Sequence, residues 1–254
     1  MPSPLATVWN PGTIRLRSFG RSSAPDCYAA YRRITFEVFV AEQGWPLADP
    51  EVPGLAAEDP FDAGAQFWLA ENETGTPIGA VRALAVREEF PHAGLFWRHL
   101  DHEVFARAVP YMGTLNALAV LPEHRRRPCH VAGSGWVGTV GQLLVLAGLR
   151  GLQQQGLRAV VATAGGAIST RLFSRAGFHV IDPPERTDLH PDLVLTNVGM
   201  VLGSQEHRLA QARGRVQPVV TTPFPLEIWH LDAYFREQEA LIRENSTAAH
   251  AIAG

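Results

Sequence analysis

The sequence predicts an α/β (α+β) domain, a mixed and mostly antiparallel sheet flanked by helices, followed by a C-terminal extension. Strand patterns come in a run before strand and helix begin to alternate, which favours a mixed sheet over a doubly wound parallel one. The composition also shifts after residue 202, so residues 1–202 are expected to form the domain and 203–254 the extension. With 254 residues, 46% of them hydrophobic and 19% charged, the chain can bury one sizeable core.

Each element has its own signal. Ile14, Leu16 and Ser18 alternate with Arg15, Arg17 and Phe19, marking a strand over 13–19. Ser23-Ala24-Pro25-Asp26 opens a helix whose Tyr28, Tyr31, Ile34, Thr35, Val38 and Phe39 fall at helical spacing, ending near Gln43-Gly44. Residues 46–62, rich in proline, glycine and acid, read as a loop. Strands at 66–70 and 78–86 flank Asn72-Glu73-Thr74-Gly75, a hairpin signature. Residues 88–110 suggest a short helix and a loop, and 112–121 a strongly apolar strand. A loop with three arginines then leads to a long apolar helix, expected over 134–155. The remaining elements are a buried strand at 159–163, a helix at 168–176 closed by Gly177, a strand at 178–181 and a last strand within 193–202. In the extension, Leu231, Tyr234, Phe235 and Leu241 fall on one face of an amphipathic pattern over 231–243. That helix would dock on the domain, pair with a second copy as a homodimer, or lid a pocket; docking is the expectation.

Several function classes are excluded at once. A net charge of −3 argues against a broad nucleic-acid face. All 22 basic residues are arginine, so neither Schiff-base lysine chemistry nor a G-x-x-x-x-G-K-[ST] phosphate loop is available. The most apolar run, Val137 to Leu149, is too short for a membrane span and carries three glycines. Residues 1–10 lack the basic and apolar regions of a signal peptide, and Cys27 and Cys129 are the two cysteines, which suits a reducing cytoplasm. The histidines are scattered with no metal-ligand spacing, so no metal is expected.

The informative segment runs from Thr114 to Val140. A strand ends at Leu118-Ala119-Val120, Arg125-Arg126-Arg127 follow, and Gly133-Ser134-Gly135 precedes the long helix. The first N–H groups of a helix lack internal partners and sit at its positive end. Glycines beside them let an anion approach the backbone, so this turn reads as a diphosphate cradle. The literal G-x-G-x-x-G of Gly133, Gly135 and Gly138 does not follow a strand directly and has no acid about 20 residues on, so a dinucleotide site is rejected.

Leu-Ala-Val-Leu-Pro-Glu-His-Arg with Gly-Ser-Gly, together with Leu172-Phe173-Ser174-Arg175-Ala176-Gly177-Phe178, resembles the coenzyme A-binding stretch and the late helix-to-strand signature of the GNAT acyltransferases over roughly residues 13–202. A closer resemblance is to the acyl-homoserine lactone synthases and N-acyl amino acid synthases. It is carried by Phe36 to Trp45, by the acidic loop Glu58-Asp59-Pro60-Phe61-Asp62, and by Gly79-Ala80-Val81-Arg82. The chain departs from that branch as well. An arginine of the first helix falls on Thr35, the usual candidate base on Thr114, a second arginine on Ala117, and the tyrosine that protonates the leaving thiolate on Phe173. These losses argue against a homoserine-lactone product.

The resemblance implies an acyl thioester donor, either acyl-coenzyme A or an acyl carrier protein, and a small amine or amino acid derivative as acceptor. Donor binding falls on Leu118, Ala119, Val120, Arg125, Arg126, Arg127, Gly133, Ser134 and Gly135, and acceptor binding on Trp45, Asp59, Arg82 and Thr114. For proton handling, Asn116 is a candidate to orient a water, and Asp62 or Glu58 to act at the acceptor end. Arg82 has two open readings, a structural pair with Asp59 or Asp62, or a bidentate fork on an acceptor carboxylate. Two functions stay open: an N-acyltransferase, or a degenerate GNAT-like domain that binds a thioester or a partner without turnover.

Overall fold

The computed structural model describes residues 12–86, 109–131, 137–180, 185–186 and 194–201. The expectations for residues 88–108, for Gly133-Ser134-Gly135 and for the 203–254 extension lie outside the described residues.

Strands β1 (Gly12–Gly20), β2 (Gln66–Glu71), β3 (Pro77–Ala85) and β4 (Met112–Val120) form an antiparallel meander. Next come β5 (Pro128–Val131), β6 (Val137–Thr139), β7 (Ala159–Gly165), β8 (His179–Val180), β9 (Glu185–Arg186) and β10 (Val194–Val201). The sheet order is β6-β5-β1-β2-β3-β4-β7-β10-β8, with β9 also on β10. The described pairings are antiparallel except β4 with β7 and β1 with β5. This is the mixed, mostly antiparallel sheet that the order of strand patterns predicts.

Helix α1 (Pro25–Thr35) covers one face of the sheet, while α2 (Val140–Gln154) and α3 (Gly166–Arg175) cover the other. The helix opened by Ser23-Ala24-Pro25-Asp26 runs to Glu42 with Gln43 as its C-cap, α-helical over Pro25–Thr35 and π-helical over Phe36–Glu42. Phe39 stacks on Trp45 at 4.7 Å between ring centroids.

The long helix starts six residues later than expected. Pro128–Val131 and Val137–Thr139 pair as a small antiparallel unit beside β1, and α2 begins at Val140. The physical reason is legible in hindsight: β-branched Val137 and Thr139 flank Gly138, a poor helix start. Thr139 instead caps α2, accepting from Gln142 N–H at 3.4 Å, while Gln142 Oε1 accepts from Thr139 N–H at 2.9 Å. That reciprocal pair is a T-x-x-Q capping box. The helix thus opens at Val140 rather than at Ser134, and the cradle expected at Gly133-Ser134-Gly135 lies outside the described residues.

Candidate functional site

The site is set by what happens halfway along β4. Residues Met112 to Leu115 pair with β3 on one side and with Ala159 to Ala162 of β7 on the other, and all four are buried. Beyond Leu115, β7 pairs with β10 only, so the parallel neighbours part. At the same place β4 carries a bulge: Asn116 faces Arg82 and Ala119 faces Ala80, leaving Ala117 and Leu118 opposite Val81 alone. Ala117 is left-handed, with φ of 48°. Burial falls at once, with Asn116, Ala117, Leu118 and Val120 only partly covered. A bulge re-aims the strand, and here it leaves a β4 edge without a strand neighbour among the described residues.

Backbone direction on that edge follows from one bond. Leu121 N–H donates to Ile78 C=O at 3.0 Å, toward β3. Val120, one residue earlier, turns its backbone groups to the opposite, open edge, and by the same alternation so does Leu118. Arg125 Nε donates to the Val120 carbonyl at 2.7 Å. Its guanidinium is held by both oxygens of Glu42, on the π-helix, at 2.5 Å each. Arg125 is thus a clamp between the π-helix and the end of β4. Arg126, with φ of 58°, and Arg127 are exposed, and Pro128 pairs with Thr139, so these two arginines lie next to the start of α2. Of the donor-side residues, Ala119 is buried against α1, while Leu118 and Val120 line the open edge.

The acceptor-side residues gather on the α1 face. Arg82 is 6% exposed, and its Nη1 meets Asp62 Oδ1 at 2.5 Å and Asp59 Oδ2 at 2.8 Å. Of the two open readings, the structure shows the structural pair, with both carboxylates at once. Asp62, 2% exposed, also accepts from Tyr28 O–H at 2.5 Å and from Asp59 N–H at 3.3 Å. Asp59 caps the 3-10 turn Pro60–Gly64. Glu58 is bound by Arg21 and, at 3.2 Å, by Arg32, which also bonds Asp49 and the Ala56 carbonyl. Asp62 and Glu58 anchor the acidic loop onto α1; their oxygens are spent there.

Burial works to lower the Arg82 pKa, but Tyr31, Asp62 and Asp59 outweigh it and hold the guanidinium above its ordinary value. Burial, then the Asp62 bond, pushes Tyr28 up, and burial pushes Tyr31 up to about 12. Thr114 is fully buried and its hydroxyl donates to Asn116 Oδ1 at 3.3 Å. Asn116 Nδ2 and Arg82 Nε are enclosed and have no hydrogen-bond partner. Phe173 is 3% exposed and packs edge-on against Phe178, so that position is core.

Sequence reasoning missed Tyr28, Arg32 and Glu42. Tyr28 falls at helical spacing in the first helix, and nothing in that spacing announces its bond to Asp62. A groove of about 490 Å³, lined by Glu37, Ala41, Glu42, Leu121, Pro122 and Glu123, lies between the π-helix and the end of β4. Among the described residues no cluster of His, Cys, Asp and Glu could hold a metal, and no helix is long and apolar enough to cross a membrane.

No family model and no curated protein matches the chain. Solved structures do. The coenzyme A-dependent acyl-homoserine lactone synthase BjaI, with SAM and isopentyl-CoA, is 20% identical with a TM-score of 0.56, over 88% of this chain and 98% of that one. TofI, in a ternary complex with an inhibitor and MTA, is 18% identical with a TM-score of 0.54, over 79% and 96%. FeeM, an N-acyl amino acid synthase from uncultured soil microbes, is 14% identical with a TM-score of 0.52, over 75% and 90%. The parted strands, the bulged β4 and the helices on both faces thus belong to a GNAT-like fold, the one shared by these acyl-homoserine lactone and N-acyl amino acid synthases.

Proposed function

We propose that this chain is an N-acyltransferase that moves an acyl group from a thioester, of coenzyme A or of an acyl carrier protein, to the amine of a small molecule or amino acid derivative. The observation that carries this is the open edge of β4 after Leu115. An extended pantetheine arm carries amides that can pair with Leu118 and Val120 as a further strand would. Its thioester carbonyl would then lie beside a backbone N–H of that edge. When the amine attacks this carbonyl, a carbon–nitrogen bond forms and the carbonyl electrons move onto oxygen. The N–H stabilises that oxyanion; collapse then expels the thiolate, and the amine gives up its proton. Holding both reactants in register supplies much of the rate, so the spent carboxylates of Asp62 and Glu58 do not forbid turnover. With Phe173 in the core, the thiolate takes its proton from water or from the ammonium nitrogen of the tetrahedral intermediate, which remains in the product as the amide.

Arg126 and Arg127, beside the start of α2, suit the donor's phosphate. BjaI is a coenzyme A-dependent synthase whose structure holds isopentyl-CoA, and a cytoplasmic enzyme meets both coenzyme A and carrier-protein donors. Thr114 and Ala117, which stand where the resembled branch carries charge, argue for a product other than a homoserine lactone.

A second reading is a domain that binds a thioester or partner without turnover. It draws on buried Thr114 and Phe173, and on Arg125 already filling the Val120 carbonyl. Thiol release from a panel of acyl donors with mixed amines and amino acids separates the two. Release that depends on both substrates is expected; donor binding with no release would establish the second reading.

A further inference from the structure

Arg82 and Asn116 face each other across β3 and β4. Directly opposed residues share a sheet face, with Cβ atoms about 5 Å apart. That face is the α1 face, because Arg82 meets Asp59 and Asp62 there and Thr114, two residues from Asn116, reaches Asn116 Oδ1. The Thr114 bond commits the Asn116 oxygen as acceptor and leaves its NH2 as donor. Each member of the pair therefore presents an enclosed N–H with no partner, Arg82 Nε and Asn116 Nδ2. Folded proteins seldom leave such donors unmet. Two on opposed residues call for one shared oxygen. Asn116 is itself only partly buried and stands where β4 leaves β7, so the pair adjoins the open edge.

Charge selects the kind of oxygen. The single guanidinium already faces two carboxylates, Asp59 and Asp62. A third anion would be buried against an excess of negative charge, whereas an uncharged carbonyl adds none. The groove at the end of β4 adds the carboxylates of Glu37, Glu42 and Glu123, with Glu42 paired to Arg125 and Glu123 Oε1 3.9 Å from His124 Nε2. We propose that Arg82 Nε and Asn116 Nδ2 together hold one uncharged carbonyl oxygen of the acyl acceptor, so that the acceptor is an amine bearing an ester or amide rather than a free amino acid. This rests on the acyltransfer reading and names its acceptor class.

The test compares free amino acids with their amides and methyl esters in the thiol-release assay. Amides and esters should exceed the free acids by about tenfold or more in kcat/KM, the size of one charge-sensitive contact. Asn116→Asp, which turns the donor into an acceptor, should raise the amide KM about tenfold while the donor KM stays unchanged. Thr114→Val, which frees the amide to rotate, should give a smaller rise. Equal or better use of free amino acids would overturn the proposal. So would an Asn116→Asp effect on the donor KM alone, which would assign the oxygen to the thioester, or no effect at all, which would leave only a water between the two donors. If no substrate pair releases thiol, the acyltransfer reading fails, and binding still decides the subsite. Amino acid amides should then raise the Tm of the native chain but not of Asn116→Asp, and an equal rise in both would refute it.

Discussion

On the face covered by α2, the sheet meets a helix with a glycine ridge and apolar neighbours, and Leu143, Leu144, Leu149 and Leu152 are buried there. On the face covered by α1, the same sheet buries Arg82, Asp62 and Thr114 among Tyr28, Tyr31 and Phe67. One face has spent its volume on close packing, the other on a polar network. The first can be changed only by altering shape, the second only by altering charge. The difference teaches where chemistry can reside: the unmet donors at Arg82 and Asn116 belong to the polar face, beside the strand edge that opens after Leu115.

The largest effect is expected from unbalancing the polar face. Arg82→Met leaves the 2% exposed Asp62 without its cation, and stranding a buried partner costs about 3–5 kcal/mol. The double change Arg82→Met with Asp62→Leu removes both charges and should recover part of that loss. Urea denaturation of the four chains gives the coupling directly. A single Arg82→Met variant within about 1 kcal/mol of the parent would mean that the network is solvated and that the two faces differ less than their burial implies.

On the apolar face the matching test is Gly151. A Cβ built there would lie 2.3 Å from the ring of Trp68, so α2 sits against the sheet as closely as a bare backbone allows. Gly151→Ala gains about 1 kcal/mol of helix propensity, yet overpacking costs about 1–3 kcal/mol. The net change should be destabilising, and larger for Gly151→Val. Thermal melts of the two variants check this; a more stable Gly151→Ala would show that Trp68 gives way. Gly148, whose Cβ would meet Leu115 at 2.5 Å, should behave alike.

How much of this was legible depended on the range of the interaction. The alternation of Ile14 and Leu16, the hairpin at Asn72 to Gly75 and the apolar run into Val120 are local patterns, and the strands lie where those patterns put them. The short β5 and β6 were not legible as strands, because Pro128–Val131 is stabilised by parallel pairing to β1, 117 residues earlier in the chain at Gly12↔Cys129. The capping box Thr139–Gln142 was local and could have fixed the start of α2. In the site, the acidic loop and Arg82 were singled out from the resemblance, but which oxygen each nitrogen meets is a tertiary outcome. The bulge at Ala117 had no sequence sign, since alanine does not advertise a left-handed backbone.

That bulge gives a smaller, sharper test. An L-residue in the left-handed region costs about 1–2 kcal/mol, and Ala117 stands there at φ of 48°. Glycine relieves that strain but loses about 0.5–1 kcal/mol to chain entropy, so Ala117→Gly should be neutral or slightly stabilising. Ala117→Val should destabilise by more than about 1 kcal/mol and disturb donor binding along Leu118 to Val120. If valine is tolerated with normal donor binding, the bulge does not shape the donor edge.

The smallest effect compares the faces through their thiols. Cys129 is packed in the α2-side core and is 3% exposed, while Cys27 is half-buried beside the α1-side cluster. Burial pushes the Cys129 thiol from 9.0 up to about 11. The thiolate is the reactive form, so at pH 8 iodoacetamide should label the more accessible Cys27 first, while Cys129 reacts roughly 100-fold slower than a thiol of pKa 9.0, the thiolate deficit that about two pKa units imply. The sign for stability follows from the same burial. A pKa raised in the folded state means that the folded chain holds its proton more tightly, so the contribution is whole below pH 9.0 and is lost as pH climbs through about 11. Cys129→Ala has no thiol to ionise, and its urea midpoint should fall less between pH 9 and 11 than that of the parent. Equal labelling of both thiols at pH 8 would place Cys129 in contact with solvent and remove β5 from the packed face.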